Sequence, residues 1–176
     1  QHLAMALELF GYAVLIQDDV MDQSALRRGL ETKHLLFQRL AAEHGLENPE
    51  RFGESVATIM GDLGYFLTNE VVSLAELPLD VDRKLRTFQA RLTTRLGLGQ
   101  IEDLRLAALP DLTRVTAEEY LEMCIGKTST YTWIWPLQWA ALAAERDDLL
   151  EAINEGLAAV KASGEYDEIY DKYFGT

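Results

Sequence analysis

The stretch Asp18-Asp19-Val20-Met21-Asp22, followed by Ser24-Ala25-Leu26-Arg27-Arg28-Gly29, constrains this chain more than any other. Three carboxylates end an apolar helical segment, and two arginines open the loop behind them. On an α-helix Asp18 and Asp22 share a face one turn apart, with Asp19 about 100° round from Asp18. Like charges at that spacing repel. A hard divalent cation reverses the sign, because Mg²⁺ takes oxygen ligands and shares them with substrate phosphates. Planar guanidinium forks suit the same guest, since they bind phosphate bidentately. The stretch reads as a site for Mg²⁺ and a diphosphate. The plainer alternative is a solvated acidic helix end followed by a basic loop.

The 176 residues allow one domain with a real core. Hydrophobic content of 48% with only 4 Pro and 12 Gly points to a mostly helical protein. A net charge of −13 argues against nucleic acid and anionic membranes as partners, though not against local phosphate binding by Arg27 and Arg28. A single cysteine, Cys124, rules out an internal disulfide and fits a reducing, cytoplasmic setting. No run of 18 apolar residues suggests stable membrane insertion. No signal-peptide pattern is read in these residues, and Gln1 already lies inside an apolar periodic segment, so an upstream part is expected.

Leu3, Ala6, Leu7, Phe10, Ala13 and Val14 give residues 2–22 the period of an amphipathic helix. Further helices are expected at 34–44, 51–75 and 81–108. Gly61 and Gly64 within the third mark close packing. Thr116-Ala117-Glu118-Glu119 is a capping box that starts another helix, which Pro136 should kink or break. Gln100 and Asp103 share a helical face, and Lys127-Thr128 lies on the last of these helices. Each pair alone has a structural explanation, a buried hydrogen-bonded couple or a surface lysine beside a threonine. Trp133, Trp135 and Trp139 read mainly as core. No strand-like alternation and no internal repeat appear, so the fold class is all-α.

The order of these clusters resembles the trans-isoprenyl diphosphate (polyprenyl) synthases. That family carries DDxxD at a helix end, then RRG, then Thr-x-His, here Asp18–Asp22, Arg27-Arg28-Gly29 and Thr32-Lys33-His34. It also carries a Gly-Asp, here Gly61-Asp62, a Gly-Gln-x-x-Asp, here Gly99–Asp103, and a Lys-Thr, here Lys127-Thr128. The resemblance covers about residues 2–144. It implies an isoprenoid-synthase-like helical bundle and a homodimer. It also implies condensation of an allylic diphosphate with isopentenyl diphosphate, with Mg²⁺ as cofactor. Asp18 and Asp22 would then be catalytic metal ligands, with Asp19 supporting. Arg27 and the catalytic Lys127 would contact the allylic diphosphate, and Arg28 the isopentenyl diphosphate. Gln100 and Thr128 would line the reacting end, and Asp103 would orient a neighbour. Small residues at Ala13 and Val14, in the family's tunnel-floor positions, favour a product of C20 or longer. Gln17 stands where family members usually have His. Other readings of the same motifs are a class I terpene cyclase and a non-catalytic diphosphate-binding or partner subunit.

The family's upstream helices with their basic isopentenyl motif, and its second aspartate-rich motif, are not found, so the bundle is expected to be incomplete at both ends. Residues 145–176 instead carry 9 acids against 3 bases. They are expected to form an acidic helical tail packing on the 1–144 core. Leu149, Leu150, Ile153, Leu157 and Val160 form a stripe, with Gly164 as C-cap. Residues 149–175 resemble the C-terminus of periplasmic solute-binding proteins.

Overall fold

Seven α-helices and one π-helical segment carry the described residues, 1–164, of the structure, a computed structural model. In order they are α1 His2–Met21, α2 Lys33–Glu43, α3 Pro49–Ser73, α4 Leu79–Ala107, α5 Ala117–Cys124, the π-helix Ile125–Ile134, α6 Trp135–Ala143 and α7 Asp147–Ala162. The all-α expectation holds. Among the described residues the one departure is a hairpin of two-residue strands, β1 Leu26–Arg27 and β2 Leu30–Glu31. The chain divides into two compact units, Gln1–Glu76 and the residues from Leu77 on.

In the first unit α1 and α2 both pack on α3. Small residues make this possible: Gly53, Ala57, Gly61 and Gly64 form a buried stripe along α3. A Cβ on Gly53 would overlap the backbone of α2 at His34, and one on Gly64 would lie 2.6 Å from the Cβ of Ala13. The helices therefore approach closely, as the glycines in the sequence suggest. Phe10, 2% exposed, fills the space beside this seam and meets Tyr65 edge-on with ring centroids 5.3 Å apart. Asn48 takes the left-handed conformation just before Pro49, and the proline supplies a preset φ for the first turn of α3.

The second unit is built on α4. Asp80 and Asp82 open that helix and Arg105 closes it, each at the end where its charge suits the helix dipole. The C-terminal half of α4 packs on α5 and the π-helix, and α4 also packs on α6. Val81, Leu85, Leu96 and Leu106 of α4, Met123 of α5 and Trp135 and Trp139 of α6 form its buried core. The two tryptophans meet edge-on at 5.2 Å, which assigns them to packing; Trp133 is exposed.

The expected capping box is present: Thr116 Oγ1 accepts from the Glu119 N–H, and Glu119 Oε2 accepts from the Thr116 N–H. Pro136 does not break the helix where expected. A proline lacks the N–H and its ring collides with the carbonyl four residues back. Here the chain widens into π-turns over Ile125–Ile134, and Pro136 falls in the first turn of α6, where no N–H is needed. Thr130, buried, donates from Oγ1 to the Ile125 carbonyl at 2.5 Å, a partner five residues back that suits the wider turn.

From the tail, α7 packs on α6, with Gln138 Nε2 donating to Asn154 Oδ1 at 2.5 Å. Its C-cap is Ser163, and Gly164 follows at φ +77°. The rest of the tail, 165–176, lies outside the described residues.

Candidate functional site

The acidic stretch closes α1. Asp22 is the C-cap residue, its N–H donating to the Asp18 carbonyl; the Gln23 N–H donates to the Val20 carbonyl, and Ser24 then folds its N–H back to the Asp19 carbonyl at 3.0 Å. The chain next forms the hairpin. Arg27 pairs with Leu30, so Arg28 and Gly29 make a two-residue turn with φ of +53° and +80°. Both signs are those of a type I′ turn, which most side chains resist. Strain of this kind at Arg28 is the cost of projecting an exposed guanidinium at the hairpin tip. Thr32, 2% exposed, ties the hairpin base down by donating from Oγ1 to the Ser24 carbonyl at 2.7 Å.

Arg27 does not project. Its Nε and Nη2 donate to Asp19 Oδ1 at 2.8 and 2.6 Å, and Nη2 also donates to Asp18 Oδ2 at 2.9 Å. The Asp19 side chain is 5% exposed and that of Asp18 14%. The Asp19 hydrogen bond, with the charges of Asp19 and Asp18, holds the Arg27 guanidinium above its ordinary pKa against the opposing effect of burial. Asp19 is thus the arginine's counter-ion, while Asp18 and Asp22 stay one turn apart at the negative end of the helix dipole. Among the described residues no three His, Cys, Asp or Glu side chains converge as a closed metal site. Two hard oxygen donors suit a cation that completes its shell with water and substrate phosphate, which is how Mg²⁺ is usually held.

A cavity of about 290 Å³ adjoins this cluster. Arg27, Arg28 and Lys33 on the one hand and Asp19 and Glu31 on the other supply its charged lining, and Tyr12, Leu15, Ile16 and Leu30 its apolar wall. It can take a molecule with an anionic head and a hydrocarbon body. A larger recess, about 440 Å³, is lined by Arg105 and Arg114, but Glu102 and Asp111 already hold those arginines.

Two contacts beside the acidic turn are not evident from sequence. Gln17 Nε2 donates to Asp62 Oδ1 at 2.8 Å, and Gln23 Nε2 donates to Glu54 Oε1 at 3.0 Å, both joining the end of α1 to α3. The Gly61-Asp62 dipeptide was the available signal for the first. Gly61 leaves room for the Gln17 side chain, with which a Cβ there would collide. Ala13, singled out for product length, is buried against Gly64, so close helix packing accounts for its size.

In the second unit the structure brings Lys127 and Asp103 together, with Nζ 2.5 Å from Oδ2. The approach depends on Gly99 and Gly126, where α4 and the π-helix meet backbone to backbone: a Cβ on Gly126 would lie 3.3 Å from the Gly99 Cα. Lys127 and Thr128 lie within the π-helix, a form enriched at functional sites. Thr128 is exposed, while the Gln100 amide nitrogen is buried with no hydrogen-bond partner among the described residues.

The polyprenyl synthetase family model matches residues 1–174. The chain belongs to that family. The match runs through the acidic tail, so the polyprenyl synthetase relationship extends past the resemblance at 2–144 and takes in the segment likened to solute-binding proteins. The geranylgeranyl pyrophosphate synthase of Geoglobus acetivorans is 26% identical over 171 residues, 97% of this chain and 48% of that protein. The structure of the Pyrococcus horikoshii geranylgeranyl pyrophosphate synthetase superposes with a TM-score of 0.72 at 26% identity, over 86% of this chain and 41% of that one. The Corynebacterium glutamicum geranylgeranyl pyrophosphate synthase gives a TM-score of 0.80 over 99% of this chain and 49% of that one; at 24% identity it shows the shared fold. This polyprenyl synthetase chain spans about half the length of the curated relatives that it matches. Among the described residues no helix is long and apolar enough to cross a membrane.

Proposed function

We propose that this chain carries the allylic-diphosphate site of a Mg²⁺-dependent prenyltransferase that condenses an allylic diphosphate with isopentenyl diphosphate. The observation that carries the reading is the cavity beside α1, where Arg27, Arg28 and Lys33, with Asp19 and Glu31 among them, face an apolar wall, Arg27 also donating to Asp18. Asp18 and Asp22 would hold the metal, with Asp19 supporting them through Arg27. The chemistry a bound Mg²⁺ supplies is neutralisation of charge on the leaving diphosphate. Arg27 would bind the allylic diphosphate and Arg28 the isopentenyl diphosphate, both through guanidinium forks. In the second unit, taken by itself, Lys127, aimed by Asp103, would be a cation for a diphosphate. Gln100 and Thr128 would line the reacting end. Tyr12, Leu15 and Ile16 would line the hydrocarbon side of the allylic substrate.

A product of C20 agrees with the names of the geranylgeranyl diphosphate synthases that this chain resembles. A homodimer and a cytoplasmic setting belong to the same proposal. Ile59, Leu63 and Phe66, exposed on one face of α3, support the dimer. Titration with Mg²⁺ and an allylic diphosphate tests the site, and Asp18→Ala should abolish the binding. Unaltered affinity would return the stretch to a solvated helix end. Radiolabelled isopentenyl diphosphate with an allylic primer tests the reaction: an elongated chain supports prenyl transfer, and a cyclic hydrocarbon without elongation overturns it.

A further inference from the structure

Threonine hydroxyls on the α-helices of this chain donate to the carbonyl four residues back, Thr58 to Glu54, Thr68 to Gly64 and Thr94 to Ala90. That is the reach an α-turn gives the side chain. Thr130 departs from it. Its Oγ1 donates to the Ile125 carbonyl, five residues back, at 2.5 Å. The bond depends on the wide turn, so this side chain reports the register of the backbone around it. Thr130 is 1% exposed, and a hydroxyl so far from solvent requires a partner. π-turns are rare, and the Thr130 hydroxyl gives this one a bond that an α-turn could not form with the same carbonyl.

The register decides where Lys127 points. The backbone of Gly126 and Lys127 touches α4 at Gly99, where a Cβ would come within 2.4 Å of the Lys127 nitrogen. That contact leaves no slack, so a change in the turn that begins at Ile125 has to swing the Lys127 side chain sideways. In the π register its Nζ meets Asp103 Oδ2 at 2.5 Å, with side chains 18% and 25% exposed. Tightening the segment to α-turns would transfer the Thr130 hydroxyl to the Gly126 carbonyl, four back, and rotate Lys127 about the helix axis away from Asp103.

We propose that Thr130 is a positioning residue for Lys127: its buried hydroxyl holds Ile125–Ile134 in the π register, and that register presents the Lys127 ammonium to Asp103. What the ammonium binds rests on the diphosphate reading above; where it is held does not.

The experiment is a double-mutant cycle on the whole chain, Lys127→Met with Asp103→Asn, read from urea unfolding. In the wild type the pair should be coupled about fivefold in the unfolding constant, the upper range for groups this exposed. In a Thr130→Val background, where a methyl group replaces the hydroxyl, the coupling should vanish. Thr130→Ala should give the same loss without branching at Cβ, and Thr130→Ser, which keeps the hydroxyl, should restore the coupling. Thr132→Val makes the same exchange at an exposed position of the same segment and should leave the coupling intact. A threonine with a merely structural role would lower stability in Thr130→Val and leave the coupling unchanged. That result overturns the proposal, as does a loss of coupling that Thr130→Ser shares. Thermal melts establish that each protein is folded.

Calorimetric titration with inorganic pyrophosphate and Mg²⁺ separates this inference from the reading it rests on. Lys127→Met should weaken pyrophosphate binding about tenfold, the scale of one hydrogen bond to a charged group, and Thr130→Val nearly as much. If Lys127→Met weakens binding and Thr130→Val does not, the positioning role fails. If Lys127→Met leaves binding unchanged, the diphosphate role of Lys127 fails, and the cycle alone decides the role of Thr130.

Discussion

A Cβ placed on Gly99 would run into the backbone nitrogen of Lys127 and lie 2.6 Å from the Gly126 carbonyl carbon. The glycine in the Gly-Gln-x-x-Asp motif is therefore a packing residue: it lets α4 and the π-helix touch, so that Asp103, one turn further along α4, reaches the Lys127 ammonium. The motif's chemistry and its packing are one requirement.

Two glycines two residues apart on α4 should respond in opposite directions to the same change. Gly99→Ala must push two backbones apart and should destabilise by about 1–3 kcal/mol, the range for overpacking. Gly97 has no atoms within 4 Å of an added Cβ. Gly97→Ala should therefore stabilise by about 0.5–1 kcal/mol, because alanine restricts the unfolded chain and favours the helix. Urea denaturation of the two variants checks the pair. A Gly99→Ala protein as stable as the wild type would show that the contact can relax.

Ala13 gives a prediction about the floor of the proposed tunnel. Its methyl group faces Gly64 across the α1–α3 seam, with 2.6 Å to the position that a Cβ on Gly64 would take. Ala13→Phe should lose roughly 1–3 kcal/mol in stability by overpacking. Val14, half-buried on the next position, should accept a larger side chain at lower cost. Thermal unfolding of Ala13→Phe and Val14→Phe separates the two, and equal losses would contradict the packing role given to Ala13.

Much of this fold is legible in the residues because its helices obey local rules. The apolar period of α1, the small stripe on α3 and the Thr116–Glu119 capping box each have a local cause and appear where expected. The features that escaped are the ones where tertiary contacts override local signals. Leu26–Glu31 is too short to show alternation, and Arg28-Gly29 is not among the usual I′ dipeptides, so the hairpin has little sequence signature. The burial of Asp19 follows from Arg27 folding back, which helical geometry alone does not give. Pro136 looks like a break because proline is read against an α-helix; the π-turns that receive it depend on packing against α4.

The start of α7 provides a pH test. Arg146 donates from Nε and Nη2 to Asp148, at 2.7 and 2.6 Å. Those bonds foremost, with the backbone N–H groups of the helix start, lower the Asp148 carboxyl to about 2. A free aspartate titrates at about 3.9 in the unfolded chain. The folded value is the lower one, so the stabilisation is complete above about pH 4 and is lost as pH falls through 2. Carboxyl carbon chemical shifts should follow Asp148 to that midpoint. Arg146→Ala should bring it back toward the ordinary value, and a midpoint unchanged by that substitution would assign the shift to the helix end instead.

The Gln17–Asp62 hydrogen bond stands next to the acidic turn on one side and next to Gly61 on the other. Both partners are reached by solvent, so a coupling of about 0.5–1 kcal/mol is expected from a double-mutant cycle of Gln17→Ala and Asp62→Ala. Gly61 makes the bond possible, since the Gln17 side-chain amide carbon lies 2.8 Å from where a Cβ would be. Alanine at position 61 should force Gln17 into another rotamer and away from Asp62. The same cycle repeated in a Gly61→Ala background should then show a coupling near zero. A coupling that survives the added methyl group would mean that the side chain has another route to Asp62, and that Gly61 serves only the approach of the two helices.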